Sequence, residues 1–222
     1  MQTGRLKHAG SEDGSPTYHV EWACLNTLDF GVPHHRRRIY IVGLRKDCMT
    51  KPFTWPPTSK RPIAASILDP VCADVEKDTL GTQLAKARRR VLRKAFRLIR
   101  MKGGSPSKED WFVDVMSSPK FANGGRKDAL PCLTRARGGT HGFWITSRGR
   151  FTTTRELIRF QGFKPAALRR LGSKVSDNKL GMALGNAWSL NVASRVLYRA
   201  TLACEMGLAT TVDPDFWLRR QN

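Results

Sequence analysis

Apolar and polar positions alternate along residues 18–25 and put Tyr18, Val20 and Trp22 on one side of an extended segment, since successive strand side chains point to opposite faces. A second strand is expected at Ile39-Tyr40-Ile41-Val42, a β-branched and aromatic run between Arg38 and Gly43. Its unbroken apolar character predicts a buried strand. The two should pair as an antiparallel hairpin across a long loop, residues 26–37, punctuated by Gly31 and Pro33. From residue 50 to 82 the pattern breaks. Pro52, Pro56, Pro57, Pro62 and Pro70 predict irregular chain with one short helix near Ile63–Leu68. The periodicity then becomes helical through residues 83–102, where Leu84, Val91, Leu92, Ala95, Phe96, Leu98 and Ile99 leave a broad apolar stripe. Gly103, Gly104 and Pro106 end it. Residues 103–150 read as loop-rich, with short strands at Trp111–Val115 and Gly142–Thr146. Thr153 with Glu156 three positions on forms a capping box. Leu157 and Phe160 give that helix its apolar face, and Gly162 closes it. A last helix is predicted from about Leu190 to Glu205, where Leu190, Ala193, Val196, Leu197, Ala200 and Cys204 recur at helical spacing. Residues 1–16 are polar and rich in Gly and Ser, and read as a loose lead-in. The tail after Gly207 has no strong pattern, and no internal repeat is visible.

Composition narrows the class of partner. A chain of 222 residues suits one large domain or two small ones, and 40% hydrophobic with 26% charged residues fits folded protein. Lys and Arg number 39 against 18 Asp and Glu, a net charge of +21. A surplus of this size favours a polyanion, because each neutralised phosphate releases condensed counterions. The helix over residues 83–102 concentrates it, with nine basic residues and no acidic one. Arg88, Arg89, Arg90 and Arg93 are the candidate phosphate contacts there. The bland alternative is a surface helix with a solvated basic face. The five cysteines are Cys24, Cys48, Cys72, Cys132 and Cys204. Their odd number and the lack of a C-x-x-C pair argue against a disulfide framework or a zinc site and suit a reducing compartment. No apolar run of about 18 residues predicts a membrane span, and residues 1–17 hold no apolar signal core, so the chain is not expected to be secreted.

The segment FGVPHHRRRIYIVG, residues 30–43, sets three arginines directly before a strand. On an extended backbone Arg36 and Arg38 point one way and Arg37 the other. Two guanidinium groups held on one side by a stiff strand make a multi-donor site for phosphate oxygens or a base carbonyl. Short basic runs are also common as solvated charge or localisation signals.

This segment resembles the eighth conserved motif of the DNA (cytosine-5)-methyltransferases, F-G-V-P-Q-x-R-x-R before a strand, and Leu25-Asn26-Thr27 is similar to the L-N-A lead-in. Pro131-Cys132-Leu133-Thr134, Arg150, Thr153-Thr154-Arg155-Glu156 and Leu157-Ile158-Arg159-Phe160-Gln161-Gly162-Phe163 resemble the ninth-motif region. Gly185-Asn186-Ala187 resembles the tenth motif, G-N-A-V-P before a helix. The blocks stand in family order across roughly residues 18–203. His34 stands where the family has Gln, Trp188 and Ser189 stand for V-P, and Thr154 stands for Pro at a helix start.

The resemblance implies an α/β fold: the C-terminal portion of a Rossmann-like S-adenosylmethionine-dependent methyltransferase sheet with an inserted, loop-rich target-recognition region. It implies a flexible lead-in over 1–16, late strands over 17–45, the recognition region over 46–130, the ninth- and tenth-motif region over 131–206, and a tail over 207–222. The implied substrate is cytosine flipped out of double-stranded DNA. Arg38 would bond O2 of that base and stabilise charge built up on the ring, Arg36 would brace the catalytic loop or a phosphate, and Asn186 with Ala187 would meet the methionine part of S-adenosyl-L-methionine. The family's nucleophile loop P-C-Q, its E-N-V strand and its F-x-G-x-G loop do not occur. Cys132 is followed by Leu133 and lies far behind the arginine motif, so it reads as structural. The chain alone is expected to be inactive and poorly soluble, completed by a missing N-terminal half or a second chain. The expected compartment is the nucleus in a eukaryote, or the cytoplasm and nucleoid in a bacterium. The alternatives are part of a tRNA cytosine-5 methyltransferase, or a basic nucleic-acid-binding module without chemistry.

Overall fold

The computed structural model describes residues 2–5, 17–70, 84–140, 142–164, 166 and 174–205, and the chain divides into two compact units. The first comprises residues 1–31, 37–61 and 189–222, and the second residues 32–36 and 62–188. The molecule is mixed α/β.

The first unit is built on the expected hairpin. Strands β2 (Tyr18–Asn26) and β3 (Arg37–Arg45) pair antiparallel, with Leu25 opposite Arg38 and Ala23 opposite Tyr40. The lead-in expected to be loose carries a strand, β1 (Gln2–Arg5), which pairs with the other edge of β2. The polar composition of residues 2–5 hid it, because an edge strand is held by backbone hydrogen bonds and needs few apolar residues. Residues 6–16 and the tail from 206 lie outside the described residues.

One face of this sheet is covered. Ala23, Leu25 and Tyr40 pack with Phe30 against Val192 and Val196 of the last helix, Leu190–Ala203. Because strand side chains alternate, the other face carries Val20, Trp22 and Cys24 beside Ile39 and Ile41. The expectation of a buried strand at 39–42 is therefore corrected. Tyr40 is buried on the covered face, whereas Ile39 is 66% and Ile41 64% exposed on the opposite one.

The second unit holds the long helix α1 (Lys86–Met101), with Val91, Leu92, Ala95, Phe96 and Ile99 buried as the stripe predicted. Leu92, Ala95, Phe96 and Ile99 pack with Trp111, Val113 and Val115. The strands expected near 111 and 144 are β4 (Trp111–Val113) and β6 (Trp144–Ile145). They pair antiparallel in a four-stranded sheet ordered β5-β4-β6-β7, with β5 (Arg126–Lys127) and β7 (Arg150–Phe151) at its edges. The short helix expected near residue 65 is a single 3-10 turn, Ala64–Ser66. A second core joins Ala64, Ile67, Leu68 and Phe112 to Leu133, Phe143, Leu157, Phe160 and Leu184. The segment 131–188 thus packs with residues 62–130. The helices of this part are α2 (Arg135–Gly138), α3 (Thr154–Phe160) and α4 (Asp177–Asn186). The last helix, Leu190–Ala203, is α5.

Candidate functional site

The loop after Gly31 decides what its side chains can do. Val32, His34 and Arg36 are buried, and its backbone is pinned by reciprocal bonds with Leu130, whose N–H donates to Pro33 O at 2.8 Å while His35 N–H donates to Leu130 O at 2.7 Å. His34 is fully buried, with Nδ1 2.9 Å from Phe160 O and Nε2 3.1 Å from the Leu133 N–H. These two partners fix one tautomer, Nδ1–H donating and Nε2 accepting. An amide side chain offers the same donor–acceptor pair, which explains how histidine can stand at the family's glutamine position.

Arg36 is 3% exposed. Its guanidinium donates to Leu133 O, to Gly185 O at 3.2 Å and to Ala187 O at 2.8 Å. The planar fork of arginine is suited to several carbonyls at once. The residue expected at a phosphate or the catalytic loop therefore ties the segment before β3 to the end of α4. Gly185 is required at that point because α4 crosses the chain closely, and a Cβ there would collide with the Thr134 carbonyl. Asn186, the last residue of α4, is exposed, and Ala187 is half-buried. Trp188 is 66% exposed.

Arg38 belongs to the other unit. It is half-buried on β3, on the side that carries Tyr40, and its Nη1 donates to Arg37 O at 2.7 Å. Arg37 is exposed. The burial of Arg36, Arg37 and Arg38 alternates as the extended backbone requires.

The ninth-motif region is a set of ion pairs around the start of α3. The capping box is present: Thr153 Oγ1 accepts from Glu156 N–H at 3.1 Å, and Glu156 Oε2 accepts from Thr153 N–H at 2.8 Å. Glu156 is wholly buried and also takes Arg150 at 3.0 and 2.7 Å. Glu156 raises the Arg150 pKa through this hydrogen-bonded pairing. Asp69 accepts from Thr153 Oγ1 at 3.0 Å and from Arg159 at 2.8 Å. Burial pushes the Asp69 carboxyl up, but the Arg159 and Thr153 hydrogen bonds outweigh it and hold it below its usual range. Gln161 is buried and donates to Leu184 O. These residues hold chain segments together rather than facing an open cleft.

In α1 the four arginines named from the sequence differ. Arg88 and Arg89 are half-buried, while Arg90 and Arg93 are exposed. Pattern reasoning missed Asn191, which is buried on the apolar side of α5 and donates to Phe30 O at 2.9 Å. Its signal was a polar residue inside an apolar stripe. It also missed a cleft of about 110 Å³ lined by Pro56, Ser59, Arg195 and Arg199, among others. Cys132 is half-buried. Among the described residues no His, Cys, Asp and Glu group could hold a metal, and no helix is long and apolar enough to cross a membrane.

Comparison with known proteins gives these positions a context. The model of the C-5 cytosine-specific DNA methylase family matches residues 6–200. The type II methyltransferase M.NgoBI of Neisseria gonorrhoeae is 33% identical over 148 residues, 66% of this chain and 40% of that protein. The type II methyltransferase M.HaeII of Haemophilus aegyptius is 28% identical over 195 residues, 82% of this chain and 55% of that protein. The chain thus spans about half the length of these relatives. Among solved structures, the Entamoeba histolytica methyltransferase EhMeth superposes with a TM-score of 0.48 at 15% identity, covering 83% of this chain and 54% of that one. With a family model matched along most of its length, the chain belongs to the C-5 cytosine-specific DNA methylases.

Proposed function

We propose that this chain is the DNA-handling part of a DNA (cytosine-5)-methyltransferase, and that a further polypeptide segment with the thiolate and most of the cofactor site completes the enzyme. The observation that carries the proposal is the knot at His34 and Arg36. Their side chains hydrogen-bond Phe160, Leu133, Gly185 and Ala187, so one buried pair ties the eighth motif to the ninth and tenth. Arg36 is then a brace that fixes where β3 begins. Arg38, the next residue on the same side, is the guanidinium assigned to O2 of the flipped cytosine. There it offsets charge that develops when a thiolate adds to C6. The antiparallel sheet of β1, β2 and β3, with α5 on one face, is assigned to the late part of a Rossmann-like methyltransferase sheet. The loop-rich stretch 46–130 is assigned to target recognition.

The residues present fit one edge of a site for S-adenosylmethionine. Arg36 occupies the carbonyls on either side of Asn186, which leaves the exposed Asn186 amide as the polar group offered at that turn. Asn186, with the Ala187 backbone, would hold the methionine part. When bound, S-adenosylmethionine supplies the methyl group that reaches C5.

Arg38→Ala tests the assignment in the chain completed by a segment carrying P-C-Q and E-N-V. Methylation should fall by about 100-fold or more, with duplex binding weakened only modestly. Retained methylation would remove Arg38 from the base pocket. Duplex binding that Arg38→Ala leaves unchanged, in a completed chain that does not methylate, would favour a non-catalytic nucleic-acid module, in which the basic α1 carries the affinity. Methyl transfer to transfer RNA in place of duplex DNA would favour the tRNA enzyme.

A further inference from the structure

The charge of α1 is not spread evenly around the helix. At about 100° per residue, Lys86, Arg90, Arg93, Arg97 and Arg100 fall within an arc of about 80°, and all five are exposed. The opposite side carries the buried Val91, Leu92, Ala95, Phe96 and Ile99. Arg88 and Arg89 are half-buried and lie outside the stripe. Lys94 is exposed at its flank but is spent on Pro119 O at 2.7 Å. The helix contains no acidic residue. Among the described residues, no ion pair joins a carboxylate to a residue of α1. Five like charges on one face of a helix repel one another and cost stability, so the arrangement calls for a counter-charge of similar length.

We infer that this stripe lies along the phosphate backbone of duplex DNA and adds affinity without reading sequence. The inference rests on the assignment of the chain to a DNA methyltransferase and extends it to a binding mode. From Lys86 to Arg100 the stripe is about 21 Å long, and one strand of a duplex presents a charge every ~3.4 Å of axis. Five cations therefore match a run of phosphates on one strand in sign and in linear arrangement. A helix that reads a mixed sequence from the major groove needs side chains that accept hydrogen bonds from base amino groups as well as donors. The stripe has donors only. Its narrow arc suits one strand rather than the two walls of a groove. Sequence would then be read by other parts of the chain.

The test is the salt dependence of duplex binding by the whole 222-residue chain. Arg90, Arg93, Arg97 and Arg100 are replaced together by Gln. Because all four are exposed and their mutual repulsion is removed, the variant should melt no lower than the parent. The slope of log K against log salt should become shallower by about 3 to 4, at roughly 0.9 per lost phosphate contact. Affinity should fall by the same factor on cognate and random duplexes. Arg88→Gln with Arg89→Gln should change the slope by less than half as much. An unchanged slope in the quadruple variant, or a loss confined to the cognate duplex, overturns the inference. If the parent chain shows no salt-dependent duplex binding at all, the DNA assignment itself fails, and that result is distinct from either.

Discussion

Arg36 acts within this chain as a clasp between segments far apart in sequence. Its charge sits in a region 3% exposed and is met by the oxygens of Leu133, Gly185 and Ala187. Bonds from a charged donor to neutral carbonyls contribute more than neutral ones, and carbonyls left buried without a donor cost about 1–3 kcal/mol each. Arg36→Met keeps the length of the side chain and removes every one of these bonds. It should destabilise the chain by about 3 kcal/mol or more, read as a lower denaturant midpoint with little change in slope. Arg38→Ala, at a half-buried position whose Nη1 donates to the neighbouring Arg37 O, should move the midpoint by less than a third of that. Equal shifts for the two variants would mean that Arg38 is a clasp as well and would weaken its assignment to the base. The sequence could show that both arginines face one way. It could not show that one of them would meet three carbonyls from segments about a hundred and a hundred and fifty positions away, because such bonds depend on where α4 and the Leu133 loop end up.

Among the elements, the turn between α1 and β4 depends on one carboxylate. Glu109 takes Lys127 of β5 at 2.6 Å, the Trp111 indole N–H at 3.0 Å and the Ser105 backbone N–H at 2.8 Å. These bonds, Lys127 first, hold its carboxyl down to about 2. A carboxylate with a depressed pKa contributes stability that is fully present above its unfolded value, near 4.5, and lost as the pH falls through the folded value. Acid should therefore loosen this corner between about pH 4.5 and pH 2, seen as a rise in Trp111 exposure by fluorescence quenching. Glu109→Gln should lose that pH dependence; if it keeps the same acid transition, another group governs it. Elements with strong local signals were legible in advance: the α1 stripe, the Thr153–Glu156 box and the β2–β3 hairpin all formed within a few residues of their expected bounds. The elements that were missed have weak local signals. β1 is polar, α2 is a single turn, and α4 has buried Leu180 and Leu184 each followed by a glycine. Tertiary contact, such as the close crossing at Gly185, decides those.

At the scale of the whole chain, the unsatisfied feature is the open face of the sheet in the first unit. Val20, Trp22, Cys24, Ile39 and Ile41 share that face, and the two isoleucines are about two-thirds exposed. In a doubly wound α/β sheet of the kind proposed for the complete enzyme, helices lie on both faces, and here α5 covers one. The relatives are about one and a half times as long as this chain, and the proposed completing segment has both the length and the reason to lie on the other. Fully burying an isoleucine contributes about 1.5–3 kcal/mol. Ile39→Lys with Ile41→Lys should therefore weaken association with that segment on the order of 100-fold or more. Exposed substitutions change folding by only about 0.5 kcal/mol, so the melting transition of the chain alone should stay in place while solubility rises. The measurement is a titration of methylation activity and of co-elution with the completing segment, wild type against variant. Assembly of the variant at wild-type concentrations would place the partner elsewhere and leave the open face without a role in the enzyme. A shift in midpoint at fixed maximal activity would locate the face as the seam between the DNA-handling part and the part that carries the thiolate.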